Sequence, residues 1–335
     1  MVIDWRDAGF IERSRAIFRS EFDSFLPDRI IDAHVHISQA GLYPPAEPNN
    51  SGGVPLTRFD YDDLKFGFKT FLPNRSTGAI CFGSPNVSLD NTANNRYVAE
   101  NAPDGFYPFR LLDPVKDTEK ILRADIETYG FIGLKPYLTF VRKKNEDDVE
   151  ISEMLPDWAM RVADEKRLLI TLHIPRKQRF ADPLNRAQIE RLARSYPNAT
   201  LLIAHIGRAY FYQNIVGSLD NLIDLPNVYL ELAMVQNADV LEYCFSRFPL
   251  DRIIYATDAP IAFAPGASVE INNQYSYITP NEWKLAIHDA KPRIEYTSFM
   301  YEELRAIKKA AVRSRLKESV IEDLFYRTTL QLVSR

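Results

Sequence analysis

Short apolar runs rich in β-branched residues recur along the chain, and longer amphipathic segments separate most of them. The runs are RIIDAHVHI (29–37), TGAICFG (77–83), GFYPFRLL (105–112), FIGLKPY (131–137), RLLITLHI (167–174), ATLLIAHI (199–206), NVYLELAM (227–234) and DRIIYATD (251–258). Turn residues bound each run, as expected of buried strands. Between them DTEKILRADIETYG, VEISEMLPDWAMRVADEKR, NRAQIERLARSYPN and NADVLEYCFSRFP carry apolar residues at helical spacing. Asp117 is a candidate N-cap for the first of these, and Pro197 stops the third.

Eight strands with helical crossovers predict parallel βαβ units, and eight is the number that closes a (β/α)8 TIM barrel. The fold class expected is therefore α/β. The whole chain, 1–335, reads as one domain: an N-terminal helical extension over 1–28, barrel strands over 29–258, and a loop insertion with two to three helices over 259–335. A doubly wound sheet is the alternative. The glycine patterns that cradle nucleotide phosphates do not occur in the chain. Two long Pro-, Asn- and Gly-rich insertions follow the first and eighth strands, and in a barrel both would overhang the C-terminal face as lids or binding loops.

Composition narrows the function. The 335 residues include 46% hydrophobic and 26% charged ones, a globular mixture. With 41 basic and 45 acidic residues the net charge is −4, which disfavours nucleic acid as a partner. The run RKKNEDDVE (142–150) balances its own charges and reads as a solvated loop leading into a helix. AIKKAAVRSRLKES reads as an exposed helix face. Two cysteines, Cys81 and Cys244, cannot build a disulfide framework, and no apolar run approaches the roughly 18 residues of a membrane span. A cytoplasmic enzyme acting on a small molecule, with no membrane partner, is the expectation.

Histidine placement carries the chemistry. Of five histidines, His34, His36, His173 and His205 fall at or near strand C-termini, while His288 sits in KLAIHDAK, which reads as a helix surface. His34 and His36 are two apart, so their rings share a strand face and could converge on one ion. Taken singly, each has a plainer reading: a hydrogen-bonded pair for H-x-H, satisfied structural histidines for His173 and His205, a helix N-cap for Asp258. A barrel, however, gathers strand ends into one ring. Three imidazoles and a carboxylate around a common centre suit a divalent zinc-type ion with a position left for water.

The constellation resembles the amidohydrolase superfamily, and within it the amidohydrolase-related family that includes aminocarboxymuconate-semialdehyde decarboxylase and lactone hydrolases. The resemblance rests on IDAHVH, GLKPY (133–137), Leu172-His173, AHIGR (204–208) and ATDAP (256–260), in the family's order, with RLLDP and NNRYVAE in support. It implies that His34, His36, His173 and Asp258 bind one divalent ion, zinc or manganese. It makes His205 the acid/base, sharing proton movement with Asp258. In some relatives the strand-six histidine ligates metal instead, so the role of His205 stays open.

Asp32 is expected one layer deeper on the face of the histidine pair, orienting an imidazole or holding a buried salt bridge. Lys135 has three readings: a cation for a substrate carboxylate, an ion pair with Asp32 or Glu231, or a bridging metal ligand. Arg208 could pair a substrate carboxylate or make a surface salt bridge. Tyr137 and Arg176 lie at strand mouths and receive no role. The activity implied is hydrolysis of a C–O or C–N bond, in a lactone or an amide. Ala33 before His34, where several decarboxylating relatives carry Glu, favours that choice. Non-oxidative decarboxylation is the alternative, and a barrel that binds an ion without turnover is the third reading. The family also implies a homodimer or larger homo-oligomer.

Overall fold

A computed structural model describes residues 2–143 and 145–335. Eight parallel strands form one sheet in sequential order: β1 Arg29–Ile37, β2 Ser76–Gly83, β3 Phe106–Leu112, β4 Gly133–Pro136, β5 Leu169–Leu172, β6 Thr200–Ile203, β7 Val228–Glu231 and β8 Ile253–Ile254. The sheet curls round on itself. Past its two paired residues, the eighth strand meets β1 through Ala33 N–H to Tyr255 O, Asp258 N–H to His34 O and His36 N–H to Ala259 O, at 2.8–3.0 Å. The architecture is the predicted (β/α)8 barrel.

Period-two alternation sorts the strand residues between two cores. Ile80, Phe82, Phe109, Leu169, Leu202 and Ile254 pack inside the barrel, while Cys81, Leu134, Ile170, Leu201 and Ile203 join the layer beneath the helices. Gly133 is small for a reason: a Cβ there would stand 2.5 Å from the Phe109 ring. From α10 (Thr328–Val333), the last helix, Leu332 joins the inner cluster and packs over the N-terminal end of the barrel.

The chain's opening helix, α1 (Ala8–Ile17), runs on as a π turn to Phe22. It docks through aromatic side chains, with Phe22 4.9 Å from the Tyr301 ring and Phe10 6.3 Å from Phe71. Tyr301 lies on α8 (Phe299–Arg313), whose buried Ala306, Ile307, Ala310 and Ala311 leave the basic face outward as expected.

Several local expectations are corrected. Pro156 splits the second predicted helical segment into Ile151–Met154 and α5, Asp157–Lys166. Thr118, not Asp117, caps α4 (Glu119–Tyr129), because Asp117 is taken by a bidentate pair with Arg110 at 2.7 and 2.8 Å. Both insertions carry strands. Asn49–Ser51 and Val54–Leu56 form a ribbon, and β9 (Ala267–Ile271), β10 (Gln274–Thr279) and β11 (Ala286–His288) form a three-stranded sheet. His288 is therefore an exposed strand residue rather than a helical one. Lys144 of the 142–150 charge run lies outside the described residues, and a short 3-10 turn, Glu146–Asp148, follows it.

Candidate active site at the C-terminal end of the barrel

The site begins with a bulge. Between Asp32 and Val35 the register of β1 against β2 slips, so that three steps on β1 match two on β2. A bulge adds a residue and reverses the alternation beyond it. Ile30 packs outside the barrel, Ala33 inside, then Val35 and Ile37 outside again. His34 and His36 consequently turn inward, while Asp32 has the opposite parity. This corrects the expectation that Asp32 shares the histidines' face. Asp32 instead accepts bonds from the His34 amide, the Thr257 amide and the Thr257 hydroxyl. It orients the backbone of β1 and the eighth strand rather than an imidazole. Burial raises its carboxyl to about 7, against the pull of those donors.

Three of the four strand-end histidines have Nδ1 engaged by an acceptor. His34 Nδ1 meets Glu231 Oε1 at 3.0 Å, His36 Nδ1 meets Gly83 O at 3.0 Å, and His205 Nδ1 meets Ala233 O at 2.9 Å. An acceptor at Nδ1 requires the proton there and leaves the lone pair on Nε2. All three Nε2 atoms face Asp258, at 3.3 Å for His34, 3.1 Å for His36 and 4.0 Å for His205. Neutral imidazole lone pairs turned on a carboxylate repel it unless a cation or protons stand among them. His34, His205 and Asp258 offer ligand atoms that all lie within 4.8 Å of one another. The donor set therefore fits a divalent ion.

Electrostatics agree with that arrangement. Burial and the neighbouring Lys135 charge hold His34 well below the ordinary histidine value. Burial would raise Asp258, but the charge that His34, His205 and His36 carry when protonated, with the His36 hydrogen bond, outweighs it and holds the carboxyl at about 2. Lys135 is 0% exposed, with Nζ 3.1 Å from His34 Nε2 and 4.6 Å from the Phe82 ring centre. Burial lowers it to about 8, against the attraction of Asp258 and Glu231. Among the described residues Lys135 makes no salt bridge with Asp32 or Glu231.

His173 stands at one side. Its ring lies 5.3 Å from His205 and 4.6 Å from Tyr137, and its Nδ1 has no hydrogen-bond partner among the described residues. Burial and the Arg208 charge lower its pKa well below the ordinary value. Arg208 is half-buried, donates to Ile174 O at 3.1 Å and makes no salt bridge among the described residues. Arg176 pairs with Asp182 at 2.9 Å.

A cavity of about 230 Å³ opens over His36 and Asp258, which are 15% and 22% exposed. Tyr43 and Ser51 reach it from the first insertion, Ser84 and Asn86 from beyond β2, and Tyr137 from beyond β4. These are neutral hydrogen-bonding groups. On the other side the Tyr275 ring of the second insertion lies 4.4 Å from that of Tyr210, tilted by 36°, with Arg179 4.3 Å above the Tyr275 ring.

Glu231 is the principal residue that sequence reasoning underrated. Considered only as a partner for Lys135, it accepts from His34 Nδ1, from the His205 amide at 2.6 Å and from the Ala233 amide at 2.8 Å. The signal was present, since an acid closing the apolar run VYLE needs buried partners as much as Asp258 does.

A parallel eight-stranded barrel with histidines and an acid converging at its C-terminal end defines a metal-site TIM-barrel enzyme class. The Amidohydrolase family profile matches residues 31–289, and the chain belongs to that family. Comparison with curated protein sequences gives no match. Solved structures of similar shape include amidohydrolase 2 from Bifidobacterium longum subsp. infantis, at 16% identity and TM-score 0.57, covering 92% of this chain and 99% of that one. A Pseudomonas putida protein provisionally named 2-pyrone-4,6-dicarboxylic acid hydrolase aligns at 15% identity and TM-score 0.55, covering 92% and 98%. The 5-carboxyvanillate decarboxylase of Sphingomonas paucimobilis aligns at 11% identity and TM-score 0.56, covering 92% and 99%. Among the described residues no helix is long and apolar enough to cross a membrane.

Proposed function

We propose that the protein is a metal-dependent hydrolase that opens the C–O bond of a lactone or the C–N bond of an amide in a small, carboxylated substrate. The convergence of three Nε2 lone pairs on Asp258 is the observation that carries this reading. His34, His36, His173 and Asp258 would hold one divalent ion, zinc or manganese. Such an ion supplies Lewis acidity, polarising a carbonyl and easing deprotonation of water near neutral pH.

The chain's own residues do the rest. His205 Nε2, its lone pair fixed by the bond from Nδ1–H to Ala233 O, takes a proton from the attacking water. The water oxygen bonds to the carbonyl carbon, the C–O or C–N bond breaks, and the leaving atom receives that proton. Asp258, kept ionised, shares in the proton movement by accepting a hydrogen bond from the water. Lys135 and Arg208 are the cations proposed to hold a substrate carboxylate, on the His34 and His173 side of the site. The neutral cavity wall over His36 then takes the uncharged part of the substrate. The two buried, unpaired cysteines accord with a cytoplasmic location.

One observation favours a second reading, non-oxidative decarboxylation. A buried ammonium beside the metal-site histidines could hold a carboxylate that leaves as CO2, with His205 returning a proton to carbon. Turnover in H2(18)O separates the two, using a panel of lactones, amides and aromatic carboxylates. Hydrolysis predicts one heavy oxygen per turnover, in the new carboxylate, and no CO2. CO2 release without heavy oxygen in the organic product would overturn it.

A further inference from the structure

Glu303 on α8 is fully buried, and nothing in the reaction above uses it. Its Oε2 accepts the Met234 amide proton at 2.9 Å. That N–H belongs to the same peptide group as the Ala233 carbonyl, which accepts from His205 Nδ1 at 2.9 Å. Carboxyl, peptide and imidazole are thus joined in series, and hydrogen bonds in series polarise and strengthen one another. The geometry of this peptide is fixed by its surroundings. Met234 has φ +59°, a left-handed conformation that non-glycine residues adopt only where surrounding contacts impose it. Glu231 pins the preceding Ala233 amide and the His205 amide at the same time.

We infer that Glu303 is a positioning residue for His205, acting through the Ala233–Met234 peptide to fix the Nδ1–H tautomer and enrich the Nε2 lone pair. It does not touch the reacting atoms. The inference builds on the proposed acid/base role of His205, but the bonded series can be tested without turnover. Burial pushes the Glu303 carboxyl well above its ordinary value. Glu303→Gln keeps an acceptor oxygen and should preserve the series, whereas Glu303→Leu keeps the bulk and removes it.

The test is nitrogen and proton NMR of zinc-loaded, 15N-histidine-labelled protein, with the His205 signals assigned through His205→Gln. Wild type and Glu303→Gln should both show a downfield Nδ1–H and a single tautomer. Glu303→Leu should shift that proton upfield, admit the Nε2–H tautomer and lower kcat about tenfold with little change in KM. An unchanged Nδ1–H and tautomer in Glu303→Leu would overturn the inference whatever the activity does. A shifted Nδ1–H with unchanged kcat would keep the bonded series and count against the acid/base role. Should Glu303→Leu not fold, deuterated wild-type protein carries the test. Couplings from the Met234 amide to the Glu303 carboxyl carbon and from His205 Nδ1–H to the Ala233 carbonyl carbon are expected, and their absence would overturn the inference.

Discussion

The two ends of the barrel are made from the same eight strands and could hardly differ more. At the N-terminal end Phe109, Leu169, Leu202 and Ile254 fill the interior and Leu332 packs over them. At the C-terminal end the inward positions become His34, His36, Lys135, His173, Glu231 and Asp258. Along β5 and the residue after it the change takes five residues, from Leu169 through Thr171 to His173. Apolar burial at one end is favourable, at roughly 25 cal/mol per Å². Burying ionisable groups at the other is unfavourable unless each is partnered. Stability and chemistry are thus segregated along a single axis, and a fold of this kind can tolerate a strained, polar end because the other end is packed with apolar side chains.

The segregation predicts that changes at the two ends act on different observables. The largest effect is expected for His205→Ala, with kcat falling about 10²- to 10⁴-fold while the melting temperature moves little. Steady-state kinetics beside calorimetry checks it, and it distinguishes the acid/base role from a ligand role if bound metal is counted in the same sample. Phe109→Ala is the mirror experiment. It should cost about 3–5 kcal/mol of stability in denaturant titration and leave the metal content of the folded fraction unchanged.

Glu231→Gln lies between them. Its carboxylate orients His34 and the His205 backbone together, so ion affinity should fall roughly 10- to 100-fold, measured by competition with a chelator. The smallest effect belongs to the rim of the polar end. Burial of Asp113 disfavours its charge, but bonds from Arg142 at 2.5 and 2.8 Å and from two amides lower its pKa overall. A carboxyl with a depressed folded-state pKa stabilises above its unfolded value and loses that contribution as pH falls through the folded one. Asp113→Asn should therefore flatten the acid side of the stability profile by at most about 1 kcal/mol and change nothing at the catalytic centre.

Most of the barrel was legible because its signals are local. Alternating and helical periods mark each strand and helix, and histidines at the ends of apolar runs such as LLITLH and LLIAH announce the site. What escaped depends on pairing between distant segments. The bulge in β1 exists only against β2, so sequence parity placed Asp32 on the wrong face. Asp117 is a sound N-cap by local rule, but Arg110 holds it more strongly. KLAIHDAK has helical composition, yet Ala286–His288 gains a neighbour in β10 and becomes a strand. Glu303 meets Met234 across 69 positions, on a helix whose sequence gives no sign that an acid points inward.

The central claim is that the polar end is built to hold a divalent ion, and metal content tests it most directly. Elemental analysis would be made on protein purified without chelator or affinity-tag metal, beside Asp258→Asn treated identically. The account predicts about one equivalent of zinc or manganese in the wild type and its loss in the variant. No metal in the wild type, even after zinc and manganese are offered back, would contradict it.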